Sequence, residues 1–72
     1  MNMVWDRFVS TRIRELGYDI GTRTLAVVFS DGTKHFHSPV PYDLYATVHH
    51  AKFPERLYWQ MINGKVPQVA EA

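Results

Sequence analysis

The sequence predicts an α+β fold in the order βββαα: a three-stranded antiparallel meander sheet with two helices packed on one of its faces. Three observations predict it. The run from Thr24 to Phe29 is short, apolar and β-branched, and the turn pair Asp31-Gly32 separates it from a second extended run, Thr33 to Ser38. Pro39 and Pro41 then end the extended region, since each removes an amide donor. After them Leu44, Tyr45, Val48 and Ala51 fall on one stripe of a helix.

Size and composition bound the rest. A chain of 72 residues holds one core, and with no Cys that core has to be stabilised by apolar packing rather than by a disulfide. Four Phe, four Tyr and two Trp are the material for it, because a buried aromatic side chain removes on the order of 150–250 Å² from water. A formal net charge of +1 gives little general attraction to nucleic acid or anionic lipid, so any such role has to come from local clustering of charge. No run approaches the roughly 20 apolar residues that span a bilayer, and the first ten residues lack the layout of a signal peptide. The expected setting is the cytoplasm, with no membrane contact.

Residues 1–9 are expected to form an N-terminal arm lying on the core, with Val4, Trp5, Phe8 and Val9 as its apolar positions. The domain proper is expected over residues 10–66. Its first strand runs from Ser10 to Tyr18, where Ile13, Leu16 and Tyr18 alternate imperfectly with charged residues and so mark an irregularity near Glu15. Asp19, Gly21 and Thr22 supply a turn, and the Thr24 to Phe29 run becomes the central strand.

Asp-Gly is a preferred pair for a two-residue type I′ hairpin. Such a loop pairs Ser30 with Thr33, Val28 with His35, Val27 with Phe36 and Ala26 with His37. Leu25, Val27, Phe29 and Phe36 then face the core, and His35 and His37 face the solvated side of the sheet. A bulged turn would slip the pairing by one residue and break this assignment. The first helix is expected from Pro41, with Asp43 at its positive end and His49 and His50 near its negative end. Phe53-Pro54 breaks it, and a second helix is expected from Pro54 to Asn63 with Leu57, Tyr58, Met61 and Ile62 buried. Residues 67–72 are expected to be a flexible tail.

In their order and spacing, Ser10, Ile13, Gly17-Tyr18-Asp19, Leu25 with Val27 and Phe29, Asp31-Gly32, Val40-Pro41, Tyr45, Ala51 and Ile62 resemble the KTSC domain. That family is a small module found at the C-terminus of some lysyl-tRNA synthetases and as a free-standing bacterial or phage protein. The resemblance covers residues 9–67. It implies a small α+β domain and, as a suggestion made for the family, RNA binding. The sequence departs from the family pattern at His35-Phe36-His37, where a Tyr-x-Tyr pair is usual. It departs again at Lys52 and Glu55, where Ser and Gly are expected, with Pro54 inserted into that loop.

Arg12 and Arg14 share one parity, as do His35 and His37, so the expected register gathers Arg12, Arg14, Arg23, His35 and His37 on the open sheet face. Arginines there would hold phosphates while imidazoles stack on unpaired bases. The competing reading is a merely solvated face, which naturally carries Arg, His and Thr. Trp59 lies off the buried helical stripe and, with Phe53, is the candidate protein contact. Alternatively Trp59 closes the core against Trp5 and Phe8. No metal site is expected, since there is no Cys and adjacent His49 and His50 diverge by about 100° on a helix.

No nucleophile or phosphate-loop motif points to catalysis. The sequence thus points to a non-catalytic binding module without a cofactor. Single-stranded or structured RNA is its first candidate ligand. The alternative is an interaction or inhibitory module, of phage type, that contacts a protein partner. A monomer is expected, because Lys34 and the flanking prolines discourage pairing through a sheet edge, with a weak dimer left open.

Overall fold

The computed structural model describes residues 3–7 and 10–70; Phe8 and Val9 of the expected arm and the last two residues of the expected tail lie outside the described residues. Five strands pair in sequence order, β1 (Val4–Arg7), β2 (Ile13–Asp19), β3 (Thr24–Phe29), β4 (Lys34–His37) and β5 (Gln68–Val69), each antiparallel to its neighbour. Between β4 and β5 lie α1 (Tyr42–His49) and α2 (Pro54–Leu57), the latter continuing directly into a π-helical turn, Tyr58–Ile62.

The expected three-stranded meander is β2 to β4, with β3 central, but it is flanked on both sides. Part of the arm is a strand, with Trp5 opposite Gly17 and Asp6 opposite Leu16. Part of the tail is a strand as well, with Val69 opposite Phe36 and Gln68 opposite His37. A bare sheet edge leaves a row of amide and carbonyl groups unpaired, and the two ends of the chain supply partners for them. The irregularity in β2 is a bulge: Ile13 pairs with Phe29 and Glu15 with Val28, which leaves Arg14 out of the ladder.

The β3–β4 hairpin corrects the expected register. The Gly32 amide donates to the Phe29 carbonyl at 2.9 Å and the Phe29 amide donates to the Thr33 carbonyl at 2.8 Å, so the loop is the three residues Ser30, Asp31 and Gly32, a type I turn closed by a bulged glycine. Gly32 has φ 93°, and among the described residues Arg23 is the one non-glycine with positive φ. A type I′ turn would have forced Asp31 into the left-handed region as well, at about 1–2 kcal/mol. Instead Asp31 keeps an ordinary conformation and its Oδ1 accepts the Thr33 amide at 2.9 Å. Pairing becomes Leu25 with His37, Ala26 with Phe36, Val27 with His35 and Val28 with Lys34. The slip of one residue turns every side chain of β4 over, so the two imidazoles go toward the helices and Phe36 goes away from them.

Directly opposed residues share a face. The helix-covered face therefore carries the rows Asp6-Leu16-Val27-His35 and Val4-Tyr18-Leu25-His37-Gln68. Leu16, Leu25 and Val27 pack there with Ile13, Val40, Val48, Tyr58 and Ile62 in a core with no solvent exposure. The other face carries Trp5-Gly17-Ala26-Phe36-Val69. A Cβ at Gly17 would come within 2.8 Å of the Trp5 ring and of Met3 Cγ, so glycine is what allows the edge-strand indole to cross the sheet there. Trp5 and Trp59 consequently lie on different faces, and the expectation that they close the core together does not hold.

On α1, Val48 is buried while Leu44 and Tyr45 pack on the core, and the Tyr45 ring stacks on Tyr18 at 4.6 Å and 8°. His49 of α1 pairs with Asp6, which ties the helix to β1. In the π-helical turn the Asn63 amide donates to the Tyr58 carbonyl at 2.9 Å, five residues back. This wider turn keeps Tyr58 and Ile62 inside but carries Met61, expected to be buried, to 37% exposure.

Candidate functional site

β4 delivers His35 and His37 to the underside of the π-helical turn, where the Tyr58 hydroxyl lies between them. Its oxygen is 3.0 Å from His35 Nδ1 and 2.7 Å from His37 Nε2, and His37 Nδ1 is 3.1 Å from the Val66 carbonyl. His37 is only 1% exposed. Burial pushes its pKa below the ordinary imidazole value, more than the Val66 and Pro67 carbonyls raise it, so the ring is neutral at neutral pH. Burial likewise pushes the Tyr58 phenol up to about 12, which keeps its proton in place as a donor.

Beside this buried relay opens a cavity of about 360 Å³ at the hairpin end of the sheet, lined by Arg12, Phe29, Ser30, Asp31, Thr33, His35 and Trp59. Its wall is aromatic. Trp59 stacks against Phe29 at 6.0 Å and 23°, and His35 meets Phe29 edge-on at 5.3 Å and 75°. Trp59 is 50% exposed, so a large part of the indole remains open to a ligand. The polar groups are the Arg12 guanidinium, the His35 ring edge, the Ser30 and Thr33 hydroxyls and the Asp31 carboxyl. The Thr33 amide holds that carboxyl below the usual carboxylate range.

The residues singled out in the sequence are therefore regrouped. The Arg/His sheet face does not form, because the register puts His35 and His37 on the side of the helices and buries His37. Arg12, His35 and Trp59, assigned above to two different surfaces, line one cavity. Arg14 stands out from the β2 bulge beside it, 3.5 Å from the Ser30 carbonyl. Arg23 lies at the opposite end of the sheet, in the β2–β3 turn, where its carbonyl accepts the Val40 amide at 2.7 Å. Phe53 is exposed between the two helices, with Lys52 and Arg56 over its ring at 5.9 and 5.4 Å.

Sequence reasoning missed Tyr58 and the hairpin residues Ser30, Asp31 and Thr33 as members of the site. The signal for Tyr58 was its place on a buried helical stripe, since a buried phenol needs a partner for its hydroxyl.

No protein-family model and no curated protein matches the sequence. Among solved structures, the chain is similar to the crystal structure of a KTSC domain protein from Yersinia pestis. The TM-score is 0.88 at 24% sequence identity, over 99% of this chain and 100% of that one. The chain has the fold of that KTSC domain protein, in line with the resemblance carried by the residues above.

Proposed function

We propose that the chain is a non-catalytic binding module of KTSC type that takes single-stranded RNA at the hairpin end of the sheet. A base is seated against Trp59 and His35, and the phosphates are held by Arg12 and Arg14. The observation that carries this reading is the meeting, in one cavity, of a half-exposed indole, an imidazole edge and a guanidinium from three separate parts of the chain. Its volume falls at the small end of the range of about 300–1,000 Å³ typical of ligand sites. Stacking a base on an aromatic side chain contributes about 1–3 kcal/mol and is open to every base, because each has a π-face. With a net charge of only +1, attraction for the backbone has to be local, and Arg12, which lines the cavity, and Arg14 beside it are both exposed.

Binding of a mixed single-stranded RNA pool, measured by fluorescence anisotropy across a salt series, tests the reading. The double variant Arg12→Ala with Arg14→Ala is expected to bind more weakly and to flatten the log–log salt slope by about 1.4, at roughly 0.7 for each phosphate no longer neutralised. Unchanged binding in that variant, or no binding at low salt, contradicts it. A second reading, a protein-interaction module, is favoured by Phe53, half exposed and flanked by two cations. Such an interface would be comparatively insensitive to salt and would depend on Phe53 rather than on the two arginines.

A further inference from the structure

The hydrogen bonds behind the cavity have a direction, and that direction bears on which base the cavity accepts. The Val66 carbonyl can only accept, so His37 carries a proton on Nδ1. With that ring neutral in its dry setting, Nε2 is an acceptor and the Tyr58 hydroxyl donates to it. The phenol oxygen is then left only to accept, so His35 donates to it from Nδ1. With Nδ1 engaged by Tyr58, the ring of His35, which lines the cavity, has Nε2 left for a ligand, and in the neutral ring that nitrogen is a lone-pair acceptor. It shares that cavity with the Asp31 carboxyl, a second acceptor.

We infer that the cavity selects bases bearing an exocyclic amine, adenine, cytosine and guanine, over uracil, with His35 Nε2 as the specificity-determining acceptor and Tyr58 and His37 as positioning residues that hold its tautomer. The inference rests on the RNA reading above. An exocyclic amine offers two N–H donors to the imidazole lone pair and the carboxylate. Uracil flanks its single pairing-edge N–H with carbonyl oxygens on both sides, and these repel the same two acceptors. Stacking on Trp59 does not discriminate, so the preference comes from the polar edge alone.

Anisotropy titrations of the whole chain with eight-residue oligoadenylate, oligocytidylate and oligouridylate at neutral pH test the inference. The first two are expected to bind roughly three- to tenfold more tightly than the third, the worth of about one hydrogen bond. Tyr58→Phe releases the His35 ring to exchange tautomers, and the ratio is expected to fall toward one as the Nε2–H tautomer donates to the uracil carbonyls and oligouridylate gains affinity. Because that variant also leaves His37 Nε2 without a donor, a long-range proton–nitrogen NMR spectrum of the unmodified protein gives an independent reading: His35 protonated at Nδ1 and bare at Nε2. Equal or reversed affinities, or a His35 protonated at Nε2, overturn the selectivity and leave the RNA reading intact. Failure of all three oligonucleotides to bind overturns both together.

Discussion

Tyr58 donates one hydrogen bond to His37 and accepts another from His35, in a place with no exposure to water. Removing the hydroxyl leaves a buried acceptor on His37 unpaired, and such a group costs about 1–3 kcal/mol. Tyr58→Phe is therefore expected to lower the urea-unfolding free energy by that amount although it is close to isosteric. His37 adds a pH dependence of defined sign. Its folded pKa lies below its ordinary value of 6.5, so as pH falls through about 6.5 the unfolded chain takes up a proton that the native chain does not. Stability is lost from there downward until the native ring itself titrates, and it is fully present above. The urea midpoint is expected to drop between pH 7 and pH 5, with a smaller drop in His37→Gln. At this scale the sequence marked Tyr58 as buried and both histidines as notable, but a hydrogen bond across 21 residues depends on register, which no local pattern encodes.

Hairpin and helix turn show how far single elements were legible. Asp31-Gly32 identified the turn, but both the two-residue and the three-residue loop use that pair with glycine in the left-handed region. Ordinarily the hydrophobic alternation of the strand would choose between them. In β4 it has no vote, since His35, Phe36 and His37 put an aromatic ring on either face. The choice falls to the backbone, where the longer loop spares Asp31 a positive φ. Gly32→Ala is expected to destabilise the protein by about 1–2 kcal/mol, the cost of a Cβ at a left-handed position, as read from thermal or urea unfolding. The second helix was legible as an element from Pro54, and its inner residues Tyr58 and Ile62 follow the expected stripe. A period of 3.6 residues could not foresee the π-helical turn that carries Met61 outward.

At the scale of the molecule, the central meander and the helices on one side of it were readable because each rests on local signals: β-branched runs, an Asp-Gly pair, prolines at the sheet end. The flanking strands were not, since Val4–Arg7 and Gln68–Val69 become strands by meeting the open edges of β2 and β4, a property of the assembled sheet. The candidate site shares that character, drawing Arg12, the hairpin, His35 and Trp59 together from parts of the chain that no spacing rule connects. All of it depends on the one-residue slip at the hairpin. In an antiparallel ladder hydrogen-bonded and non-hydrogen-bonded pairs alternate, and the latter bring α-carbons to about 4.5 Å. Counting from the Phe29–Thr33 hydrogen bond, the close pairs are Val28 with Lys34 and Ala26 with Phe36. Nuclear Overhauser effects between α-protons in solution decide the matter. Cross-peaks joining Ala26 to Phe36 and Val28 to Lys34 are the predicted result, and cross-peaks joining Val27 to Phe36 or Phe29 to Lys34, the close pairs of a two-residue loop, would contradict the register and the site built on it.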